Sequence, residues 1–374
     1  MGSGWRLGAR IKAGQTGATL GRWAVLLGLL TLSTIVGAQS LAPGPGAADL
    51  PRTLAQAPVA LAQTLRVVVL LPLDNAQLRR AASVVRDGIY SVFGTRKGEI
   101  SVSECAYGID AVVQAYLHCV GPATDWVIGP LGRSDVTALA LAKLQAAKPT
   151  LMLSPLGTVP PQPLAVLSPD LESEAEAIAQ QASDDACRRP VLAEAAGSMS
   201  ARVSVAITTY WRERSVTPLP TVSVASRDGW RRVAEKWRSD NVDCVLFTGS
   251  GVVLTELRPY LRGMAIYVTS ASFELALERT VDWTGVRIAD SPWIVDAVRA
   301  EFEPYAPSAA LSPTLARLYA LGIDAARLVV AAGRDTLPVS FDGAIGQLTL
   351  KDAQYRRQPI IGEFRERALV KVGP

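Results

Sequence analysis

Apolar positions along the chain switch between a strand pattern and a helix pattern. Residues 65–71 (LRVVVLL) form a β-branched run ended by Pro72, the pattern of a buried parallel strand. Residues 76–93 then place Leu78, Ala82, Val85, Ile89 and Val92 at helical spacing. The alternation continues with strands over 99–103, 126–128 and 150–153. The helices between them cover 109–117 and a stretch from Ser134, read as its N-cap, to about Ala146. The pattern then restarts. Helices are predicted over 171–181, 199–212, 230–238 and 252–261, with strands over 190–193, 221–224, 244–247 and 265–269. Glu172, Glu174 and Glu176 suit the positive end of the first of these helices. One long helix follows over 313–332, with Leu315, Leu318, Leu321 and Leu328 as its core stripe. Residues 340–374 break into short strands separated by Gly343, Gly346 and Gly362.

Strands alternating with helices argue an α/β fold in which mainly parallel sheets carry helices on both faces. Two such units in succession, with a late return of the chain, predict a two-lobed clamshell. Lobe 1 is expected over 65–167 with 273–334 returning in part, and lobe 2 over 168–272 with 335–374 returning. Loops at the carboxyl ends of the strands then face a cleft between the lobes, the usual place for a ligand in such folds. In lobe 1 these loops offer Leu73, Asp74, Leu131, Ser134 and Ser154; in lobe 2 they offer Ser198, Thr248, Ser250 and Ser270. Free N–H groups at the helix start near Ser134 can bind a carboxylate, or Ser134 can simply cap the helix. Asp290 and Trp293 follow a further strand over 286–288 and lead the candidates. An Asp there can pair with a ligand amine beside a flat Trp wall, or Pro292 and Trp293 can serve only to pack the hinge. The apolar members of the lobe 1 loops argue against a zwitterionic ligand, whose charges must be paired when buried. Arg317 and Arg327 are read as surface ion-pair partners of Asp324.

The chain of 374 residues carries 38 Lys+Arg, 34 Asp+Glu and a formal charge of +4. That excess sits in residues 1–38, which hold Arg6, Arg10, Lys12 and Arg22 and no acid. A neutral remainder gives no reason to expect nucleic-acid binding. The basic stretch precedes an apolar run over 23–36, too short to span a bilayer, and then Val36-Gly37-Ala38. Residues 1–38 therefore read as a signal peptide cleaved after Ala38, the alternative being a retained anchor. Residues 39–64, rich in Ala, Pro and Gly, read as a linker. The mature chain is expected to be periplasmic and free of the membrane. No Cys precedes Cys105, so no lipid is expected at a mature N-terminal Cys.

Export favours paired thiols. Four cysteines allow three connectivities. The expected set is Cys105–Cys119 and Cys187–Cys244, one bridge per lobe, against the alternative that some are buried free thiols. A single histidine, His118, excludes two-His metal sites, and no nucleophile elbow or phosphate loop occurs. No catalysis, metal or cofactor is expected. Trp211, Arg214, Trp230, Arg231 and Trp237 make the second lobe's one distinctive candidate partner surface, Arg and Trp being enriched at interface anchors. The alternative is a solvated basic face over packed tryptophans.

Residues 70–93 (LLPLDNAQLRRAASVVRDGIYSVF) resemble the first strand and helix of type I periplasmic binding proteins. Thr269-Ser270, Asp282-Trp283-Thr284-Gly285-Val286, Asp290-Ser291-Pro292-Trp293, Arg317–Ala325 and Gly346–Leu350, in that order, resemble the LppC family of penicillin-binding-protein activators. The resemblance covers roughly residues 65–374. It implies a two-lobed fold, an envelope location, no catalysis, and docking on a class A penicillin-binding protein to promote peptidoglycan synthesis. Without the family's lipidated Cys and N-terminal domain of helical repeats, the protein is expected to be the clamshell alone. The competing expectation is a solute-binding receptor holding an amino acid or another small molecule between the lobes.

Overall fold

The computed structural model describes residues 64–373 apart from 146, 216, 275–279 and 367. The expected signal peptide and all but the last residue of the expected linker lie outside the described residues. The first unit runs β1 (Leu65–Leu71), α1 (Arg79–Phe93), β2 (Ile100–Ala106), α2 (Val112–Cys119), β3 (Trp126–Ile128), α3 (Arg133–Leu141), β4 (Thr150–Met152) and β5 (Leu164–Val166). The second runs α4 (Leu171–Asp184), β6 (Pro190–Glu194), α5 (Ser198–Arg214), β7 (Thr221–Ser223), α6 (Trp230–Ser239), β8 (Cys244–Thr248), α7 (Gly251–Leu257), β9 (Ala265–Thr269) and β10 (Val286–Asp290). The chain then forms α8 (Pro292–Val295), α9 (Pro313–Ala332), β11 (Ser340–Asp342), β12 (Gln347–Lys351), β13 (Gln354–Gln358), β14 (Ile360–Arg365) and β15 (Ala368–Lys371).

Two sheets result, ordered β11-β12-β13-β5-β4-β3-β1-β2 and β15-β14-β10-β9-β8-β6-β7. Strands β1–β5 pair in parallel, as do β6–β10. The late strands β11–β12–β13 and β14–β15 extend the sheets as antiparallel ribbons, β13 meeting β5 in parallel and β14 meeting β10 antiparallel. This corrects the expected lobe assignment. Residues 340–358 return to the first lobe, and only 360–371 return to the second. Within 273–334, β10 stays in the second lobe while α9 goes to the first. Buried side chains explain the split: Leu348 and Tyr355 fill the first lobe's core, and Phe364 fills the second's.

Alternate residues of the parallel strands point to opposite faces, so each sheet is covered on both. In the first lobe Val67, Val69 and Leu71 face α1 and α9, while Val68 and Leu70 face α2 and α3. In the second, Leu192 and Leu246 face α4 and α5, while Val191, Val245 and Phe247 face α6 and α7. Helix α9 is the centre of the first lobe. Ser312 caps it by accepting from Leu315 N–H, and Pro313 sits at its first turn, where no N–H is missed. It crosses α1 closely, because Gly88 and Gly322 leave no side chain between the backbones. A Cβ at Gly322 would lie 2.1 Å from the Val85 carbonyl oxygen, and one at Gly88 would lie 2.2 Å from that of Tyr319.

The bridges Cys105–Cys119 and Cys187–Cys244 are both present, the expected pairing. The first ties β2 to α2; the second ties the segment before β6 to the start of β8. Helix α3 departs from expectation. Gly132 occupies its N-cap position, Ser134 lies inside its first turn without capping it, and the helix ends at Leu141.

Candidate functional site: cleft loops and hinge

The carboxyl ends of the parallel strands build two loop sets. In the first lobe the loop after β3 turns at Gly129, whose φ of 115° is open to glycine and whose missing Cβ lets it pass against the Leu70 carbonyl. That turn sets Leu131 beside Leu73, and both are buried in the lobe's core. Ser154 donates its hydroxyl to the Leu131 carbonyl and so ties two of the loops together. Asp74 and Ser134 are exposed. Behind them Tyr107 donates to Asp135 at 3.0 Å; burial first, and the Asp135 charge next, push the phenol well above its ordinary range.

In the second lobe Ser198 is exposed, and Ser250 caps α7 by accepting from Val253 N–H at 3.5 Å. Thr248 is buried against Ser204, their hydroxyl oxygens 3.0 Å apart. Ser270 is buried, and its N–H donates to Glu174 at 2.7 Å. Of the nine loop residues expected to face the cleft, Leu73, Leu131, Thr248 and Ser270 are therefore taken up by packing or internal hydrogen bonds. They are corrected from cleft candidates to supports of the loops: the two leucines turn into the lobe's core, Thr248 meets Ser204, and Ser270 is tied by its N–H to Glu174. Asp74, Ser134 and Ser198 are exposed, and Ser154 and Ser250 are half-buried.

Asp290 and Trp293 also resolve toward structure. Asp290 is 0% exposed. Arg317 on α9 grips it as a fork, with Nε 2.9 and 3.1 Å from the two carboxylate oxygens and Nη2 at 2.5 Å. The same Nη2 donates to the Phe273 carbonyl at 3.0 Å. Ser291 N–H adds a further donor to Asp290 at 2.7 Å. No carboxylate oxygen is left free for a ligand amine. Trp293 packs on Phe302 and Tyr319, with ring centroids 5.2 and 5.7 Å away, and its backbone N–H donates to the Ala344 carbonyl. It fills the gap beside the hinge.

Three hinge residues were hidden from the sequence reading. Glu174 is 1% exposed and faces Arg357, which is 4% exposed and reaches it from β13. Arg357 also donates to the Asp170 carbonyl at 2.9 Å and to the Ile345 carbonyl at 3.3 Å. Desolvation raises the Glu174 carboxyl, opposed by the Arg357 charge. Asp324, read as a surface ion-pair partner, is fully buried. It accepts N–H bonds from Ala344 and Ile345 at 2.7 Å each, and Arg327 lies 3.5 Å away. Burial is the largest influence and pushes its carboxyl up to about 6, with the two N–H donors pulling the other way. The one available sequence signal for Arg357 was the alternation within β13, which puts it on the same face as the core residue Tyr355.

The expected partner surface does not form as one face. Trp211 belongs to the cluster under α4 and α5, whereas Trp230 and Trp237 belong to the cluster on the opposite side of the sheet. All three tryptophans are buried. Trp211 and Trp230 donate their indole N–H to the carbonyls of Thr217 and Val224. Amphipathic packing explains this, since Trp230, Ala234 and Trp237 share the inner face of α6. Arg214 and Arg231 are exposed, stacking on Tyr210 and pairing with Glu235 respectively. A groove of about 490 Å³ runs along α4 and the β13–β14 connection, lined by Gln180, Tyr210, Arg357, Pro359 and Ile361 among others.

Two mainly parallel sheets joined by three crossings match known structures closely. A chain assigned to a branched-chain amino acid ABC transporter of Chromobacterium violaceum superposes with a TM-score of 0.71 at 28% identity, over 80% of this chain and 100% of that one. This is a type I periplasmic-binding-protein fold. The C-domain of LpoA from Haemophilus influenzae, a regulator of PBP1A, superposes with a TM-score of 0.67 at 20% identity over 82% of this chain and all of that domain. Full-length LpoA gives 0.69 at 20%, and the match then spans 59% of its chain. By sequence, the penicillin-binding protein activator LpoA of the same organism is 26% identical over 171 residues, 44% of this chain and 29% of the relative. The resemblance to penicillin-binding-protein activators thus holds in the sequence comparison, and the LpoA structures share the fold. No family model matches the chain. Among the described residues no helix is long and apolar enough to cross a membrane.

Proposed function

We propose that this chain is a non-catalytic, exported periplasmic protein that docks on a class A penicillin-binding protein and promotes peptidoglycan synthesis. The sequence likeness to LpoA carries the reading. The occupied hinge supports it, because the acid best placed to hold a ligand amine is already bound by Arg317. Leu73 and Leu131 at the base of the first lobe's loops add no charge to receive a zwitterion. Crosslinking in envelope followed by co-purification tests it. A class A penicillin-binding protein is expected with the tagged chain; finding none, while a known envelope complex is recovered in parallel, overturns the reading.

A second reading rests on the closer identity to the Chromobacterium violaceum chain. There the protein is a solute receptor, and exposed Asp74, Ser134 and Ser198 would contact the ligand. A ligand that binds only the folded state must raise the melting temperature. A clear stabiliser in an amino-acid and peptidoglycan-fragment screen would favour this reading over docking.

A further inference from the structure

The chain passes between lobes three times, at residues 167–170, 290–293 and 358–360. Each crossing contains a proline: Pro169, Pro292 and Pro359. Hinge bending in two-lobed proteins is absorbed by φ/ψ changes in a few residues of the crossings, and proline there fixes φ near −65°. Each crossing is also held by a guanidinium, that of Arg357 buried and that of Arg317 half-buried. Arg357 donates to the Asp170 carbonyl in the first crossing and stands at the start of the third. Arg317 grips Asp290 at the start of the second.

Both guanidiniums reach from one lobe to a carboxylate of the other. Arg317 lies on α9, packed in the first lobe, and Asp290 on β10 in the second. Arg357 lies on β13 in the first sheet, and Glu174 on α4 in the second lobe. The two carboxylates are 0% and 1% exposed. Rotating the lobes would pull these partners apart and leave both carboxylates buried and unpaired, which is strongly unfavourable. Each carboxylate is moreover fixed on an element of the second lobe, Asp290 on β10 where it pairs with Ile360 and Glu174 by Ser270 N–H, so neither can follow its partner.

We propose that the Arg317–Asp290 and Arg357–Glu174 pairs, with the three crossing prolines, lock the angle between the lobes. The protein then presents one preformed face in place of a trap that closes. This gives the docking reading its geometry, but it is measured without any partner, so either can fail while the other stands.

The test is a distance distribution across the cleft by electron–electron double resonance. Spin labels are carried on non-natural residues, which leaves both disulfides intact, at the exposed Ala138 on α3 and Ala201 on α5. The wild-type chain is expected to give one narrow population that a library of amino acids and peptidoglycan fragments does not shift. Two populations, or a ligand-driven shift of several ångströms, overturn the lock. Arg317→Gln is expected to widen the distribution about twofold, as the minor open states gain population. A folded Arg317→Gln chain as narrow as wild type overturns the role of that pair. Pro359→Gly, which removes no charge, is the second variant should Arg317→Gln fail to fold. It too should widen the distribution, and an unchanged width counts against the lock. Should neither fold, the wild-type distribution decides alone.

Discussion

In the first lobe α1 and α9 meet backbone to backbone at Gly88 and Gly322, whereas in the second lobe β14 delivers a ring into a ring cluster. Phe364 stands edge-on to both Phe273 and Trp283, with centroids 5.2 Å apart in each case. Trp283 is fully buried and donates its indole N–H to Thr255 at 3.0 Å. Both devices attach a late segment of chain to an early unit, but they respond to change in opposite ways. The helix crossing has no room for one more carbon, while the aromatic cluster has volume that nothing else can supply.

The largest expected effect is therefore in the second lobe. Trp283→Ala should destabilise by about 3–5 kcal/mol in chemical denaturation, from lost burial and the cavity left behind. Amide exchange should place the loss around β9, β10 and β14. Protection lost equally in the first lobe would show that the lobes do not separate energetically.

Asp324 comes next and probes the first lobe by pH. Its folded carboxyl stands near 6, above its unfolded value, so the folded state holds the proton more tightly. The contribution is fully present below about pH 4 and is lost as pH rises through about 6, amounting to about 3 kcal/mol. Glu172, Asp125 and Glu363 are held below their ordinary values and act in the opposite direction, losing stability as pH falls. Asp324→Asn should flatten the pH dependence of unfolding between about 4 and 6. An unchanged slope there would mean the two backbone N–H donors keep the carboxylate charged throughout.

Gly322→Ala should destabilise by about 2–3 kcal/mol, because the helices must move apart and cannot do so without loosening the core. Restored stability on enlarging a neighbour would contradict the close-crossing account. Arg231→Ala should change stability by less than about 0.5 kcal/mol, since its pair with Glu235 is on the surface. The same substitution would weaken docking only if that side of α6 meets the partner.

The alternation of strand and helix was legible because parallel strands buried on both faces read as continuous apolar runs, and residues 65–71 and 244–247 are such runs. The two disulfides were legible for a related reason: each pair lies within one α/β unit. The destination of residues 340–371 was not. Strands of three to six residues carry enough pattern to be seen but none that says which sheet they join. That choice rests on Leu348, Tyr355 and Phe364 meeting distant cores. The hinge was misread in the same way. Glu174 looks like a first-turn acid suited to the helix dipole, and Arg317 and Asp324 look like surface charges on a long helix. Their burial depends on elements 20 to 180 residues away, which no local window contains.

The place of α9 and β14 in the chain has a consequence for how the protein is made. Val67, Val69 and Leu71 have only α1 to pack on until residues 313–332 exist, and Trp283 and Phe273 lack their shared ring partner until Phe364. A chain that emerges N-terminus first thus carries a partly open apolar face on each lobe throughout most of its synthesis, and both are closed only within residues 313–374, about the last sixth of the polypeptide. Completion of the two lobes is in this sense a single late event. An early stop in the message would leave both lobes without their closing piece.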